Sequence, residues 1–331
     1  MRPQRPLIAR PLLTAVAGGI VAAALAWSAL LAPAQGAAAG AAAAARPVAL
    51  SRPLTAAPAA PAGVSAAGAD LVNAATGRRL WSRGLNTERP IASITKVMTA
   101  LVVIRAGDLS RKIRISQAVV NYVREHDGSS AGLLAGDILT AHQLLEGMLL
   151  PSGNDAAFAL AGAYGPGWRA FVRKMNATAR ALGLRQTHYA NFDGLPWPTE
   201  YTTYSTPRDL IILGRAAMRL ATFRDIVHQR THFLAATPQH HAYFWQNTNQ
   251  LLGWYAGAFG IKTGFTHGAG YSLLFEGRRH GRTLIGVVLD SSGTDPTASF
   301  IAARRLLNWG FAVLATGRVT GPHAAGARVR A

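Results

Sequence analysis

A serine and a lysine three positions apart are the first residues in this sequence that could do chemistry together. Ser93 and Lys96 lie in the stretch ASITKVMTA, where apolar residues recur at the spacing of a helix with one buried face. Residues three apart lie on the same side of a helix. A serine hydroxyl becomes a useful nucleophile when a base lies within hydrogen-bond reach. The spacing therefore predicts a nucleophile, Ser93, with Lys96 as its base.

Taken alone, the pair has an ordinary structural explanation, because serine and lysine are common at helix starts and on surfaces. Two later segments change that interpretation. PSGN, which contains Ser152 and Asn154, lies at a predicted helix break. IKTG, which contains Lys262, Thr263 and Gly264, lies on a predicted strand. The order S-x-x-K, S-x-N, K-T-G resembles that of the penicillin-recognising serine enzymes.

Longer segments narrow the resemblance to one family. The D-alanyl-D-alanine carboxypeptidases, which are low-molecular-mass penicillin-binding proteins, have segments similar to IASITKVMTALVV, GDILTAHQLLEGMLLPSGNDAAFALAG, STPRDL, NTNQLL and GIKTGFTHGAGYSL. The similarity covers about residues 69–308. It implies a β-lactamase/DD-peptidase-like fold and a serine peptidase that removes terminal D-Ala from peptidoglycan stem peptides ending in D-Ala-D-Ala, through an acyl-enzyme. It also implies covalent inhibition by β-lactams and no metal or organic cofactor.

The same resemblance implies a role for the residues of the second and third motifs. Ser152 is then the proton relay, and Asn154 binds the substrate amide. Lys262 and Thr263 hold the terminal carboxylate of the substrate. The backbone N–H of Phe265 is the second donor to the oxyanion, beside that of Ser93 at the positive end of its helix.

Two further residues, Gly264 and Arg208, are expected to help bind the substrate. Gly264 has no side chain, so substrate backbone is expected to lie close along its strand. Arg208 matches an arginine of the family and is expected to help bind the carboxylate, although an arginine at a helix start is often simply solvated. For Lys96 to be a base its amine must be neutral, and we expect burial and repulsion from Lys262 to lower its pKa.

Deacylation distinguishes peptidases from β-lactamases in this superfamily. Class A β-lactamases use an additional glutamate between the second and third motifs to activate the water. Between Asn154 and Lys262 the only glutamate is Glu200, in NFDGLPWPTEYTTYS, and its context resembles the peptidase loop. We therefore expect slow β-lactam hydrolysis and a long-lived penicilloyl adduct on Ser93.

Histidines are the remaining candidates for metal chemistry. His228 and His232 have the i, i+4 spacing of ligands on one helix face, with His240 and His241 nearby. The sequence has no H-E-x-x-H pattern and no cysteine, so surface histidines are the preferred interpretation. His267, just after K-T-G, is assigned no role.

The elements that must position these residues follow from hydrophobic periodicity and turn residues. Thr140 and Gln143 form a capping box that starts a helix. Strands at both ends of the domain flank a run of helices, which predicts an α/β (α+β) fold with one antiparallel sheet, flanking helices, an inserted all-helical lobe and a cleft between sheet and lobe. We expect strands at 69–75, 80–85, 112–115, 260–266, 271–277 and 283–290, and helices at 93–107, 140–150, 155–164, 168–182, from 206, and at 297–313.

The chain has four expected parts. Residues 1–34 combine arginines, an uncharged apolar run and an Ala-Pro-Ala site, as in an export signal or, if uncleaved, an N-terminal membrane anchor. Residues 35–65 form an Ala/Pro-rich linker, 66–315 the serine DD-peptidase catalytic domain and 316–331 a basic tail. The expected location is extracytoplasmic, that is, secreted, periplasmic or on the cell-wall side, with any membrane attachment through the N-terminal segment.

Charge and cysteine content limit the partners. The formal net charge of +19 favours polyanions. No helix or strand concentrates the charge with interleaved aromatics, which argues against nucleic acid. Anionic polymers and lipids of the envelope are the expected counter-ions, with a basic solvated surface as the plain alternative. Because cysteine is absent, disulfides and thiolate chemistry are excluded.

Two other functions stay open. A DD-endopeptidase that cleaves peptidoglycan cross-links could use the same machinery, and the short stretch after residue 308 slightly favours it. A non-catalytic penicillin-binding or wall-binding protein could keep the fold without turnover. The five motif side chains argue against this, because a binding module has no need for all of them: Ser93, Lys96, Ser152, Asn154 and Lys262.

Overall fold

Five antiparallel strands from the two ends of the domain form the central sheet. The structure, a computed structural model, describes residues 59–316. The order of the strands across the sheet is β2-β1-β11-β10-β9. Their bounds are β1 (Gly68–Asn73), β2 (Arg79–Arg83), β9 (Ala258–Gly264), β10 (Ser272–Arg279) and β11 (Arg282–Leu289). The prediction of one antiparallel sheet built from the first hairpin and the last strands is confirmed.

Within the described residues, nine α-helices and three two-stranded sheets complete the fold. The small sheets pair β3 (Arg89–Pro90) with β6 (Tyr204–Ser205), β4 (Lys112–Arg114) with β5 (Ile138–Thr140), and β7 (Thr231–Leu234) with β8 (Tyr243–Gln246). The helices are α1 (Lys96–Ala106), α2 (Gln117–Glu125), α3 (Ala141–Leu149), α4 (Asn154–Tyr164), α5 (Trp168–Ala181), α6 (Pro207–Ala217), α7 (Ala221–Val227), α8 (Leu251–Trp254) and α9 (Ala298–Ala315).

Alternating side chains of the central sheet supply two apolar cores. Leu274 on β10 and Ile285 on β11 belong to the larger core, which also contains residues of α1 and α3 to α6. Phe275 and Leu284 point to the other face and pack with residues of α9. Successive strand residues face opposite sides of a sheet. A strand that is buried on both faces is therefore apolar at nearly every position. The apolar segments of β10 and β11, between turn residues, were predicted to be strands.

The helical lobe is inserted between β2 and β9, as predicted, but it is not all-helical, because it also contains the strand pairs β3–β6, β4–β5 and β7–β8. Its helix α3 begins with the capping box, in which the Thr140 hydroxyl accepts a hydrogen bond from the Gln143 backbone N–H and the Gln143 side chain accepts one from the Thr140 N–H. Leu139 and Leu144 are both buried beside this turn. The capping box therefore fixes where α3 starts, ahead of the second motif at its far end.

Several short elements were not predicted from the sequence. Helix α2 has only nine residues and begins where the Ser116 hydroxyl accepts a hydrogen bond from the Val119 N–H. The β7–β8 hairpin has four-residue strands, with Phe233 and Phe244 exposed opposite each other. Elements this short depend on tertiary neighbours, because isolated helices and hairpins of such length are marginal in water.

The described residues begin inside the predicted linker. Val64 is buried in the core under α9, and the Gly63 and Ala59 carbonyls accept hydrogen bonds from Arg305 and Trp309. The last residues of that linker therefore pack on the domain. The predicted export segment at 1–34 and nearly all of the basic tail at 316–331 lie outside the described residues. In the part that is described, no helix combines the length and apolarity needed to cross a bilayer.

Candidate active site

Ser93 lies in a tight turn at the start of the helix that carries Lys96. The predicted single helix begins as a 3₁₀ turn, Ala92–Thr95, which continues into α1. Ala92 has a φ of 46°, a left-handed conformation that costs a non-glycine residue on the order of 1 kcal/mol. Gly194 packs directly against this turn, because a Cβ added to it would clash with the carbonyl of Ala92. The turn is thus held by its neighbours in a strained conformation that leaves Ser93 partly exposed.

The amine of Lys96 is the centre of the site. Its Nζ lies 2.8 Å from Ser93 Oγ, 2.7 Å from Asn154 Oδ1 and 3.5 Å from Ser152 Oγ. The Asp193 backbone carbonyl accepts a further hydrogen bond at 3.3 Å. Lys96 is fully buried. The structure therefore brings together the four residues that the sequence predicted to be catalytic.

Burial sets the protonation of both buried lysines. It lowers the pKa of Lys96 to about 8, against the opposing charges of Asp193 and Asp155. Burial also lowers the pKa of Lys262 well below its ordinary value, and repulsion from Lys96 adds to this. The repulsion that we expected to act on Lys96 thus acts on Lys262. For Lys96, loss of hydration is the main cause of the shift.

The second motif is a strained turn between α3 and α4. Ser152 has a φ of 68° and is buried. The Asn154 N–H donates to the carbonyl of Ser129, at 2.8 Å. Asn154 Nδ2 is buried and has no partner among the described residues. This side chain therefore uses its oxygen on Lys96 and keeps its N–H₂ group for another acceptor, which fits the predicted role in binding a substrate amide.

Asp155, the next residue, holds the neighbouring loop in place. Its carboxylate accepts hydrogen bonds from the Ser130 hydroxyl at 2.7 Å, and from the N–H groups of Ala131 at 2.9 Å and Leu133 at 3.3 Å. Sequence reasoning assigned Asp155 only to a helix. Its position directly after S-G-N was the available signal, because an acid at the first turn of a helix often has a capping or loop-binding role.

A second positioning carboxylate, Asp193, was also missed. It is fully buried in the loop NFDGLP, and its Oδ2 accepts a hydrogen bond from the Tyr122 hydroxyl at 2.7 Å. Burial raises the pKa of Asp193, while the charge of Lys96 and the Tyr122 hydrogen bond oppose the rise. Asn191 accepts from the Gly194 N–H at 2.7 Å and thereby fixes the turn. The loop thus presents a carbonyl to Lys96 and places a negative charge near it.

The third motif lies on the edge strand β9, which runs along the nucleophile turn. An added Cβ at Gly264 would lie 2.8 Å from the Ile91 carbonyl oxygen and 3.3 Å from the Ile94 nitrogen. The predicted reason for this glycine was close approach of substrate. In the structure, the close approach is that of β9 to the turn that carries Ser93. Phe265 follows the last paired residue of β9, since Gly264 pairs with Ser272.

Hydroxyl groups continue the third motif into the groove. Lys262 Nζ lies 3.2 Å from Thr263 Oγ1, and that oxygen lies 2.7 Å from Thr248 Oγ1. Thr248 belongs to the segment NTNQLL, and its N–H donates to the Leu150 carbonyl at the C-terminal end of α3. The buried amine of Lys262 is thus linked to the groove through two neighbouring threonines, of which only Thr263 was predicted from the sequence.

A groove of about 260 Å³ joins these motifs. Its lining includes Ser93 and Ser152 from the first two motifs, and Thr263, Gly264 and Phe265 from the third motif and the residue after it. The Phe265 ring stacks on that of Tyr271, with ring centres 4.1 Å apart, and forms an aromatic wall. The groove continues to the start of α9, where its lining includes Pro296, Ser299 and Phe300.

Three residues discussed from the sequence lie outside the groove lining. Arg208 is exposed at the start of α6, its N–H donates to the Leu85 carbonyl, and its charge acts on the buried Asp70. The structure does not bring it to the groove, so its role in carboxylate binding stays a prediction. Glu200 accepts a hydrogen bond from the Thr266 hydroxyl. The His267 ring packs edge-on against Phe265.

The histidines are accounted for by contacts within the protein. His228 stacks on Phe259 with ring centres 4.1 Å apart, and His232 Nδ1 lies 3.2 Å from Glu146 Oε1. Across residues 59–316, no group of three or more histidine, aspartate or glutamate side chains is arranged to hold a metal ion.

Comparison with known proteins shows which family this chain resembles. The family model described as D-alanyl-D-alanine carboxypeptidase (Peptidase_S11) matches residues 55–293. The D-alanyl-D-alanine carboxypeptidase of Streptomyces sp. strain K15 is 39% identical over 262 residues, which cover 76% of this chain and 88% of that protein. A D-alanyl-D-alanine endopeptidase of Pseudomonas aeruginosa is 32% identical, with 74% of this chain and 76% of that protein covered.

A solved structure agrees with the sequence comparison. The crystal structure of the Streptomyces K15 DD-transpeptidase superposes with a TM-score of 0.72 at 39% identity, covering 77% of this chain and all of the other.

Proposed function

The chain belongs to the D-alanyl-D-alanine carboxypeptidase family of serine peptidases, and from this we propose that its groove removes terminal D-Ala from peptidoglycan stem peptides through an acyl-enzyme on Ser93. One observation carries the proposal. The Nζ of Lys96 lies 2.8 Å from Ser93 Oγ, fully buried and with a pKa lowered to about 8. A lysine that is partly neutral near neutral pH can take the serine proton as attack begins.

Acylation starts with the substrate carbonyl above Ser93. Lys96 accepts the Ser93 proton, and Oγ attacks the carbonyl carbon of the D-Ala-D-Ala bond. The backbone N–H groups of Ser93 and Phe265 stabilise the oxyanion. Asn154 Nδ2, which lacks a protein partner, donates to an amide carbonyl of the stem peptide. Lys262, through Thr263, holds the carboxylate of the leaving D-Ala.

The proton then has to reach the leaving amine. Ser152 Oγ lies 3.5 Å from Lys96 Nζ and lines the groove. The proton passes from Lys96 through Ser152 to the amine nitrogen, the C–N bond breaks, and D-Ala leaves. Water then attacks the ester carbon while Lys96 accepts its proton, the bond between that carbon and Ser93 Oγ breaks, the shortened peptide leaves, and Lys96 returns the proton to Ser93 Oγ. Each step reuses the same short chain of groups, so no additional glutamate is required.

The alternative reactions differ in the group that leaves or in the group that accepts the acyl chain. Relatives of this chain carry the names endopeptidase and DD-transpeptidase. The groove extends past Phe265 to Ser299 and Phe300, which supports a leaving group or acceptor larger than D-Ala. Cleavage of cross-links is therefore the second candidate function. The third, a non-catalytic penicillin- or wall-binding protein, is disfavoured by the intact contacts of Lys96.

The location of the enzyme in the cell follows from the location of its substrate. Peptidoglycan is extracytoplasmic, and the family acts there. We propose export by the segment at 1–34, with that segment as the membrane anchor if it is not cleaved. β-Lactams are expected to acylate Ser93, because their ring carbonyl would occupy the position of the scissile bond.

The test compares Ser93→Ala with the wild type. Both are incubated with a defined pentapeptide and with a cross-linked muropeptide dimer, and the products are followed by mass. Ser110→Ala, an exposed serine outside the groove, is the control. Loss of D-Ala release in Ser93→Ala alone supports the proposal, and the ratio of D-Ala release to dimer cleavage in the wild type chooses between carboxypeptidase and endopeptidase. D-Ala release that survives in Ser93→Ala would refute it.

A further inference from the structure

A second cavity lies near the end of β10 opposite to the active groove. It measures about 240 Å³, and we call it the arginine pocket because its lining includes Arg215, Arg219 and Arg278. Ser272, at the start of β10, lines the groove, whereas Glu276 and Arg278, at its end, line the pocket. Along β10, the nearest lining residues of the two sites, Ser272 and Glu276, are four positions apart, which corresponds to roughly 13 Å. The pocket is therefore distinct from the catalytic site.

Two of its guanidinium groups are held in place by contacts that leave N–H donors unused. Arg215 Nε donates to the Ala74 carbonyl at 3.1 Å, and Nη2 lies 3.5 Å from the Ala75 carbonyl. Arg278 Nε donates to Glu276 Oε1 at 2.8 Å, and its guanidinium carbon lies 3.4 Å from the centre of the Phe259 ring. An arginine has five N–H donors. Each group thus keeps donors in a fixed orientation.

The third guanidinium is unengaged. Arg219 follows α6, is exposed, and has no partner among residues 59–316. Glu276 is the one acid in the pocket lining, and it is buried and paired with Arg278. Arg224 also acts on this carboxylate. The pocket lining therefore carries three guanidinium groups and one carboxylate, which is an excess of positive charge.

We propose that the arginine pocket binds a phosphodiester group of an anionic polyol-phosphate polymer of the cell envelope. Fixed guanidinium groups match the oxygen geometry of a phosphate and bind it with two parallel hydrogen bonds. The volume is larger than a phosphate needs, and Met218, Ile285 and Ala74 add apolar surface that suits the carbon atoms of the polyol. A polymer held here leaves the groove open, so the site retains the enzyme beside its substrate.

A membrane surface fits less well. The site is a recess, which takes one protruding group rather than a flat array of head groups. None of the large exposed hydrophobic side chains of the described residues lines it, so no apolar residue is placed to insert into a bilayer. The polymer is therefore the favoured source of the phosphate.

The test compares two arginines that are both exposed and without a protein partner. Arg219→Gln removes a charge at the pocket, and Arg304→Gln removes the same charge on α9, away from it. Binding of poly(glycerol phosphate) to the full chain is measured by calorimetry in 150 mM salt. We expect Arg219→Gln to weaken binding at least about tenfold and Arg304→Gln less than about twofold. D-Ala release is expected to be unchanged in both variants.

Three results would overturn the proposal. Equal weakening by the two variants would mean diffuse attraction by the net charge. No measurable binding to wild type would mean that the pocket is unoccupied by such polymers. Stronger Arg219-dependent binding to phosphatidylglycerol vesicles than to the polymer would assign the pocket to a lipid. Inorganic phosphate, as a competitor, is expected to displace the polymer only at millimolar concentration, because it lacks the polyol contacts.

Discussion

Strand β9 touches the nucleophile turn so closely that a Cβ on Gly264 would lie 2.8 Å from the Ile91 carbonyl oxygen. The glycine thereby sets the distance between the third motif and Ser93. The two oxyanion donors that we propose, the backbone N–H groups of Ser93 and Phe265, come from the two sides of this contact. Their separation depends on a residue that has no side chain.

Gly264→Ala is expected to lower the acylation rate by about 100-fold, because β9 has to move away from the turn and the oxyanion donors separate. Stopped-flow measurement with a fluorescent penicillin checks this. Gly162→Ala is the control, since nothing lies within 4 Å of a Cβ there. Equal acylation rates for Gly264→Ala and wild type would show that the contact is not needed.

The acylation rate is expected to rise with pH and to level off above about 8. Lys96 acts as a base only when neutral, and its pKa is lowered to about 8. The rate should therefore fall about tenfold for each pH unit below that value. The measurement is penicillin acylation between pH 5.5 and 9.5. A flat profile over that range, or normal acylation by Lys96→Arg, would contradict the assigned role.

Asp193→Asn is expected to move the midpoint of this pH profile to lower pH. The negative charge of Asp193 opposes the lowering of the Lys96 pKa, so its removal lowers that pKa further. The backbone carbonyl that contacts Lys96 is retained. Asp137→Asn, at a buried carboxylate bound by His241 outside the groove, is the control. An unchanged midpoint in Asp193→Asn, or the same shift in both variants, would count against the charge effect.

Folded-state stability is expected to increase with pH between about 8 and 10.5. The pKa of Lys96 is about 8 in the fold against an ordinary value of 10.5. In this window the unfolded chain binds more protons, so rising pH favours the folded state, by on the order of 3 kcal/mol from this group. Urea unfolding of the wild type and of Lys96→Met, measured across this pH range, checks the prediction, because only the wild type has the pH-dependent contribution of Lys96 to the free energy of unfolding. A difference between them that stays constant with pH would rule it out.

Recognition of the substrate carboxylate is expected to depend on Thr248 more than on Arg208. Thr248 Oγ1 lies 2.7 Å from Thr263 Oγ1 in the groove, whereas Arg208 acts on Asp70. Thr248→Val should raise KM for D-Ala release about tenfold with a smaller change in kcat, and Arg208→Gln should change KM less than about twofold. The opposite ranking would support the role predicted for Arg208 from the sequence.

Much of the catalytic site was predictable because it is encoded locally. Ser93 and Lys96 share one helix turn, Ser152 and Asn154 one helix break, and Thr263 neighbours Lys262 on one strand. Such short-range patterns are visible in a sequence. Asp155 and Asp193 were missed, because a buried carboxylate shows its role only through the groups that face it.

By itself, the sequence determined the antiparallel sheet with its inserted helices, because periodicity and capping residues are local properties, and its ordered motifs and family resemblance pointed to Lys96 and three of its partners, Ser93, Ser152 and Asn154. Only the tertiary structure decided how those groups interact. Burial from all sides gives Lys96 its lowered pKa, and the contact of β9 with Ile91 explains Gly264. The arginine pocket joins the segment that follows β1 with α6 and its C-terminal end, β10 and β11, which are distant along the chain, and packing alone brings them together.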